Sequence, residues 1–457
     1  DCGELASGET VSREMFKTTS VAFGQICESE LQYSSCQNGQ RSSWSGIYTA
    51  SSCQVAEFNP DLAPLISIDQ FEYQGGFRIS GQNLGYEGAR PTASYSNGII
   101  AYNPKNHSIY LVGHPHEEQI AEFAIPNLVT SDQVSDFNVS ATPIQNFSKF
   151  HNTDRVDTGI EANFKITGLE LLNDSLIVNY VNYYDGLGKE TDTTVVFKNA
   201  NDLATSEISG AFQLNGAAHS AGWLSAIPQE WQTHLQGTHI SGSHSGTSVN
   251  FRLSIGPSAY VISPEQDLLP YSNGAVDSQA LLDFPLGNIL FDTSVFSSND
   301  DEQSILFNEQ LNNDLWTYLS GASYGFILPG TSTYVTIGKS GGLNSGVGYK
   351  ITQLDGKTCG GYCAYDPTDN YSFYWLWDVK DLLKVKNGEL LPHNVRPYDY
   401  GKFPVPVDID AYNDVGTIGG GAYDAETGML YVSFTSADQI ESYRRPPVVL
   451  AYKFMAK

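Results

Sequence analysis

Four residues of this sequence carry side chains suited to moving a proton beside a carboxylate. His114 closes the stretch Gly98-Ile-Ile-Ala-Tyr-Asn-Pro-Lys-Asn-His-Ser-Ile-Tyr-Leu-Val-Gly-His114. An imidazole with an unperturbed pKa of ~6.5 serves as base or acid near neutral pH. Arg252, in Phe251-Arg-Leu-Ser-Ile-Gly-Pro257, has few basic neighbours, and its planar fork grips a carboxylate in two places. Tyr184, next to Tyr183 at the end of another apolar run, offers a phenol. His219 lies in Gly216-Ala-Ala-His-Ser-Ala-Gly222, a small-residue stretch that a ligand can approach closely. Such a set could perform β-elimination on a uronic acid. A base takes the proton α to the carboxylate, a guanidinium neutralises the enolate-like transition state, and a phenol protonates the leaving oxygen. Each residue also has a plain structural reading: a histidine hydrogen-bonded between strands, an ion-paired arginine at a sheet edge, one tyrosine among 27.

Other groupings carry weaker chemistry. His116 stands beside Glu117 and Glu118 and reads as solvated. His239 and His244, in Gly237-Thr-His-Ile-Ser-Gly-Ser-His-Ser-Gly246, have metal-like company but no third ligand in register. Asp408, Asp410, Asn413 and Asp414 form an oxygen-rich run. It could hold a structural Ca²⁺, but without the glycine and glutamate of an EF-hand loop it reads first as an acidic turn. Ser340-Gly-Gly-Leu-Asn-Ser-Gly346 lacks the Lys-Ser/Thr and the helix of a phosphate loop. There is no Gly-x-Ser-x-Gly elbow and no His-Glu-x-x-His. Nothing here requires a cofactor.

The elements that must position these residues are short strands. Residues 98–114 read as a strand, a polar turn and a second strand. Residues 419–433 repeat the pattern, with Ala101-Tyr102 falling on Ala422-Tyr423 and Ile109-Tyr110-Leu111 on Leu430-Tyr431-Val432. Further strands are expected at 71–79, 119–123, 162–184 (a hairpin about Asn173-Asp174), 249–262, 324–337, 373–377 and 448–454. Short helices are expected after Pro228 and at 379–386. Recurrence of one hairpin, alternating strands and scarce helix predict an all-β fold, a β-propeller spanning residues 56–457. At roughly 50 residues per blade this gives seven blades, with six or eight as neighbours, and a C-terminal strand that helps close the ring.

Residues 1–55 are polar, Gly-rich and hold four of the six cysteines (Cys2, Cys27, Cys36, Cys53). Too small for a good core, they predict a disulfide-stapled β appendage. Cys359 and Cys363 form a separate pair. Clustered, even-numbered cysteines point to an oxidising, extracellular or cell-surface location, and a chain beginning at Asp1 reads as already processed. Asn-x-Ser sequons at Asn106, Asn138, Asn146, Asn173 and Asn370 matter only in a eukaryotic secretory host. No stretch approaches the ~20 apolar residues of a membrane span. With Lys+Arg 24 against Asp+Glu 51 the formal charge is -27, which argues against nucleic acid or anionic membrane as a partner. A polyanionic ligand would need a local basic pocket in this repulsive field.

Several stretches together resemble a known family: Ala101-Tyr-Asn-Pro104 with Val112-Gly-His114, Thr167-Gly-Leu-Glu-Leu-Leu172 with Asn182-Tyr-Tyr-Asp185, Ile227-Pro-Gln-Glu-Trp231, Phe251-Arg-Leu-Ser-Ile-Gly-Pro257, and Trp377 with Asp381-Leu-Leu-Lys-Val-Lys-Asn-Gly388. The pattern is similar to that of extracellular bacterial seven-bladed propellers that include ulvan lyases, enzymes cutting a sulfated uronic-acid polysaccharide of green seaweeds. It covers most of residues 75–455 and omits the Cys-rich start. The resemblance implies a secreted polysaccharide lyase with an anionic glycan as partner. Two positions depart from it. Lys339-Ser-Gly-Gly342 stands where relatives carry a His and a Cys, which removes a zinc site there. The upstream region where the lyases place a second histidine has Arg90 and no histidine. Two alternatives therefore stand beside the lyase. One is a glycoside hydrolase, which needs two facing carboxylates. The other is a non-catalytic glycan-binding or self-associating surface propeller.

Overall fold

Apolar runs punctuated by Gly, Asn and Asp turns fold into antiparallel hairpins, and the one at residues 98–114 shows how. Ile100–Asn103 pairs with Ser108–Val112, with Ala101 opposite Tyr110. His107 in the turn takes the left-handed conformation, φ 47°. In the related hairpin Ala422 stands opposite Tyr431, and Tyr102 of the first stacks on Tyr431 of the second at 5.2 Å. The computed structural model describes residues 1–21, 23–85, 90–160, 163–185, 189–243, 253–413 and 415–455. They form two compact units, Asp1–Pro64 and Leu65–Lys457.

The larger unit is a β-propeller. Among the described residues, five sheets share one plan of four antiparallel strands with the first innermost. The inner strands are Ile100–Asn103, Phe164–Leu172, Leu224–Ala226, Gly321–Ile327 and Ile418–Asp424, in blades 1 to 5. Each touches the next, and the fifth touches the first, which closes the ring. Closure is covalently economical: Val448–Phe454 of blade 5 pairs with Phe71–Ile79, so the N-terminal strand of the propeller supplies the outer strand of the last blade.

Five blades, not the expected seven, account for the described residues. The chain uses roughly 79 residues per blade (393 over five) because the connections carry structure of their own. Val139–Ser140, from the last connection of blade 1, adds a parallel strand to the edge of blade 5. Gly274–Val276, from the same connection in blade 3, does so for blade 2. Blade 4 carries an extra hairpin, Val347–Tyr349 with Tyr362–Ala364, beside the Cys359–Cys363 disulfide. The helices Gln229–Leu235 and Val379–Lys386 form where expected, as excursions between strands.

The core lies between blades. Tyr110, Val112 and Ile120 pack with Ile166, Leu176 and Val178 between blades 1 and 2. Phe77, Ile109 and Phe123 pack with Tyr431 and Val449 between blades 5 and 1. Toward the axis side chains run out of room. A Cβ on Gly168 would lie 1.9 Å from the Gly222 carbonyl oxygen, and one on Gly420 would lie 2.3 Å from that of Gly98. Inner strands of neighbouring blades therefore meet backbone to backbone, which only glycine permits.

The smaller unit is a three-stranded sheet, with Ser29–Gln37 between Thr10–Phe16 and Gln40–Arg41. Disulfides Cys2–Cys36 and Cys27–Cys53 staple it, as a unit with little more than Met15, Cys36 and Ala50 for a core requires. No cysteine is free. No helix among the described residues is long and apolar enough to cross a membrane.

Candidate functional site

Because each blade has four strands, the chain returns from every outer strand to the end at which the next inner strand begins. His114, Tyr184 and His219 lie at that end, on blades 1, 2 and 3. His114 follows Ser108–Val112, whose Val112 N–H donates to Ile99 O at the start of the first inner strand. Tyr184 follows Tyr183, whose N–H donates to Asn163 O just before the second. His219 ends the turn Ala217–His219, five residues before Leu224–Ala226.

His114 is fixed at several points. Its N–H donates to Thr92 O at 2.9 Å, and Tyr95 and His116 flank its ring at 5.9 and 5.2 Å. Burial, helped by the positive charges of Arg90, His116 and Lys165, lowers its pKa to about 4. The neutral ring accepts the His116 N–H at Nδ1, 3.2 Å, which leaves the proton on Nε2. In this state the Nε2–H of His114 is a hydrogen-bond donor. Beneath it, Glu118 is buried and accepts from Lys165 Nζ at 2.9 Å and the Ile166 N–H at 3.0 Å. Lys165 also reaches the Pro115 carbonyl. Arg90 is exposed and has no side-chain partner among the described residues. Arg90, Lys149 and Lys165 around His114 form a local basic patch on a strongly acidic chain, with Glu117 paired to Lys149 at 3.4 Å.

His219 has the geometry of a base. Its Nδ1 lies 2.7 Å from Asp283 Oδ1, both side chains being largely but not wholly covered. A carboxylate there accepts a hydrogen bond from Nδ1–H, which keeps the proton on Nδ1 and leaves Nε2 as the acceptor. Nε2 has no partner among the described residues. The Tyr260 hydroxyl also neighbours Asp283, and burial followed by that charge raises its pKa well above the usual phenol range. The backbone is held as firmly: Ser258 Oγ donates to His219 O at 2.8 Å and Ser243 Oγ to Ala218 O at 3.4 Å. Gly216, at φ 99°, lets the turn pass against the Tyr260 ring, where a Cβ would lie 2.6 Å away. Asp283 was not singled out from the sequence. Its one signal is an acid closing the apolar run Ala280-Leu-Leu-Asp283, at the end of the outer strand of the same blade and more than sixty residues from His219.

Tyr184 is exposed and meets Tyr183 edge-on at 4.9 Å. Arg252 lies outside the described residues, as do His244 and Asp414. His239 is buried on Thr238 Oγ1 at 2.9 Å, and burial lowers its pKa to about 4. Asp408 and Asp410 are exposed, and Asn413 bonds to Gln353. No group of three or more His, Cys, Asp or Glu among the described residues could hold a metal ion.

These buried groups set opposite pH limits on stability. Glu118 is pushed up to about 7 by burial. As pH rises from 4.5 to 7 the folded chain keeps a proton that the unfolded chain has lost, so this group withdraws stability, by at most about 3 kcal/mol. His114 and His151, each lowered to about 4 chiefly by burial, withdraw it as pH falls from 6.5 toward 4. Thermal melting of the Glu118→Gln variant should therefore be flatter than wild type between pH 5 and 7, with the acid limb unchanged.

No family signature and no curated protein matches the sequence. Solved structures overlap it in part. An α-L-arabinofuranosidase of Podospora anserina, solved with cellotriose, is 9% identical at a TM-score of 0.36, covering 84% of this chain and 97% of that one. A protein of unknown function from Bacteroides thetaiotaomicron is 10% identical at 0.31, covering 97% and 90%. The Cps50 (Swd1) β-propeller domain of Myceliophteria thermophila is 5% identical at 0.27, covering 84% and 100%. Likenesses this weak carry nothing about activity, and the propeller stands on its own strand order.

Proposed function

We propose that this propeller is an extracellular polysaccharide lyase that cleaves a uronate-containing, ulvan-like anionic glycan by β-elimination. The observation that carries this reading is the His219–Asp283 pair at the end where the inner strands begin. An imidazole with Nδ1 tied to a carboxylate and Nε2 unpartnered suits abstraction of the proton α to the uronate carboxylate. His114, neutral and protonated on Nε2, would donate to the sugar or its carboxylate. Arg90 and Lys165 would lower the local repulsion against an anionic chain, and Arg252 is proposed as the group that neutralises the enolate-like oxygen. Tyr184 is proposed as the acid for the leaving oxygen. Three disulfides fit an oxidising location. A metal is not called on in this scheme, and a structural Ca²⁺ at Asp408–Asp410 is left as a proposal for calcium titration.

The reaction class is tested by incubating the protein with ulvan and with other uronic-acid polysaccharides. Ultraviolet absorbance of the unsaturated uronate should grow together with new reducing ends. Reducing ends without that absorbance would mean hydrolysis, and binding with neither would mean a glycan-binding propeller. Either result overturns the lyase.

A further inference from the structure

The N-terminal unit carries eight acidic residues and three basic ones, Arg13, Lys17 and Arg41. Lys17 is paired with Glu28 at 2.8 Å. The two arginines have no carboxylate partner among the described residues and are gathered onto one indole. Their guanidinium carbons lie 4.3 and 5.2 Å from the centroid of the Trp44 ring. Arg13 and Arg41 come from the strands on either side of Ser29–Gln37, which places the buried side chains of Gln32 and Ser34 beside them.

These buried groups hold each guanidinium by one edge. Gln32 Oε1 accepts from Arg13 Nε at 3.0 Å and Nη2 at 2.8 Å. The Gln32 amide is fixed in turn by Glu30 and by Tyr48 O, both at 2.7 Å. Ser34 Oγ accepts from Arg41 Nε at 3.1 Å and donates to Ser42 O at 2.9 Å. A guanidinium has five N–H donors. Three on Arg13 and four on Arg41 thus have no partner among the described residues. Two like charges held on one ring repel, and no carboxylate among the described residues pairs with either although acids are in excess on the unit. The cation–π contacts and buried hydrogen bonds hold the pair in place, and an oxyanion is the ligand that completes it.

The geometry points to a binding site for an oxyanion carried on a sugar, a carboxylate or sulfate of an acidic polysaccharide, gripped by Arg13 and Arg41 beside the Trp44 ring. Nucleic acid fits poorly, because its charges come every ~1.7 Å along the duplex and would meet the surrounding carboxylates, whereas a polysaccharide spaces its charges further apart. The choice of a glycan rests on the proposed function, but the arginine pair takes no part in the propeller chemistry.

The test uses the full-length chain in calorimetric titration with ulvan, with chemically desulfated ulvan and with neutral dextran. The double variant Arg13→Gln/Arg41→Gln should bind ulvan at least tenfold more weakly than wild type, and Arg41→Lys, which keeps the charge and loses the fork, should fall between. Wild type should not bind dextran. Release of unsaturated product from short oligosaccharides should be unchanged in these variants. Retained binding of desulfated ulvan assigns the contact to carboxylate, and its loss assigns it to sulfate; both support the site. Unchanged ulvan affinity in the double variant, or equal affinity for dextran, overturns it. Should no unsaturated product form with any variant while the affinity loss persists, the lyase reading falls and this site stands.

Discussion

His219→Ala should lower the rate of unsaturated-product release from ulvan by roughly a hundred- to ten-thousand-fold, the usual loss on removing a positioned base. The loss should fall on kcat, with KM little changed, because proton abstraction is made only in the transition state. Asp283→Asn should do nearly as much damage while leaving the imidazole in place. An amide at that position can donate to Nδ1, which moves the ring proton to Nε2, the atom that must accept. His114→Ala should behave differently. A ring that only donates to bound sugar contributes about equally before and during reaction, so its loss should raise KM more than it lowers kcat. Should His114→Ala and not His219→Ala abolish kcat, the assignment of the base is reversed. The melting temperature of each variant checks that the turn Ala217–His219 and its Ser258 contact survive.

Gly168→Ala should be the most destabilising single methyl in the propeller. The added Cβ would sit 1.9 Å from Gly222 O and 2.5 Å from Gly222 C. Both are backbone atoms of the next blade, which cannot swing aside as a side chain would. Overpacking of this kind costs about 3 kcal/mol or more, to be seen as a melting temperature lower by ~5 °C or more, or as failure to accumulate folded protein. Gly360→Ala is the control: nothing lies within 4 Å of its Cβ, and stability should not change. Equal melting of the two variants would mean that the inner strands are not packed backbone to backbone, and the five-fold ring would have to be redrawn.

Many of the strands, the two helices and the relation between hairpins 98–114 and 419–433 were legible in the sequence because they rest on local chemistry, whereas short strands such as Leu224–Ala226 and His239–Ser241 were not. Period-two alternation and Asn/Asp/Gly turns act over a few residues. Disulfide formation was equally legible, since four cysteines in so small a polar segment have few other uses. The number of blades was not. It depends on how many residues each connection diverts, and Val139–Ser140 and Gly274–Val276 join the edges of blades far from them in sequence.

Residue types and strand ends thus determined that this chain is all-β, that its hairpins recur, that His114 and Tyr184 stand where strands end, and that His219 lies in a small-residue loop. Tertiary structure decided what each can do. It set Asp283 against His219 and the His116 N–H against His114, so that one imidazole is left to accept and the other to donate. A side chain's type comes from its codon, but its proton's position is set by whatever the fold brings to its other nitrogen, and that partner can lie anywhere in the chain.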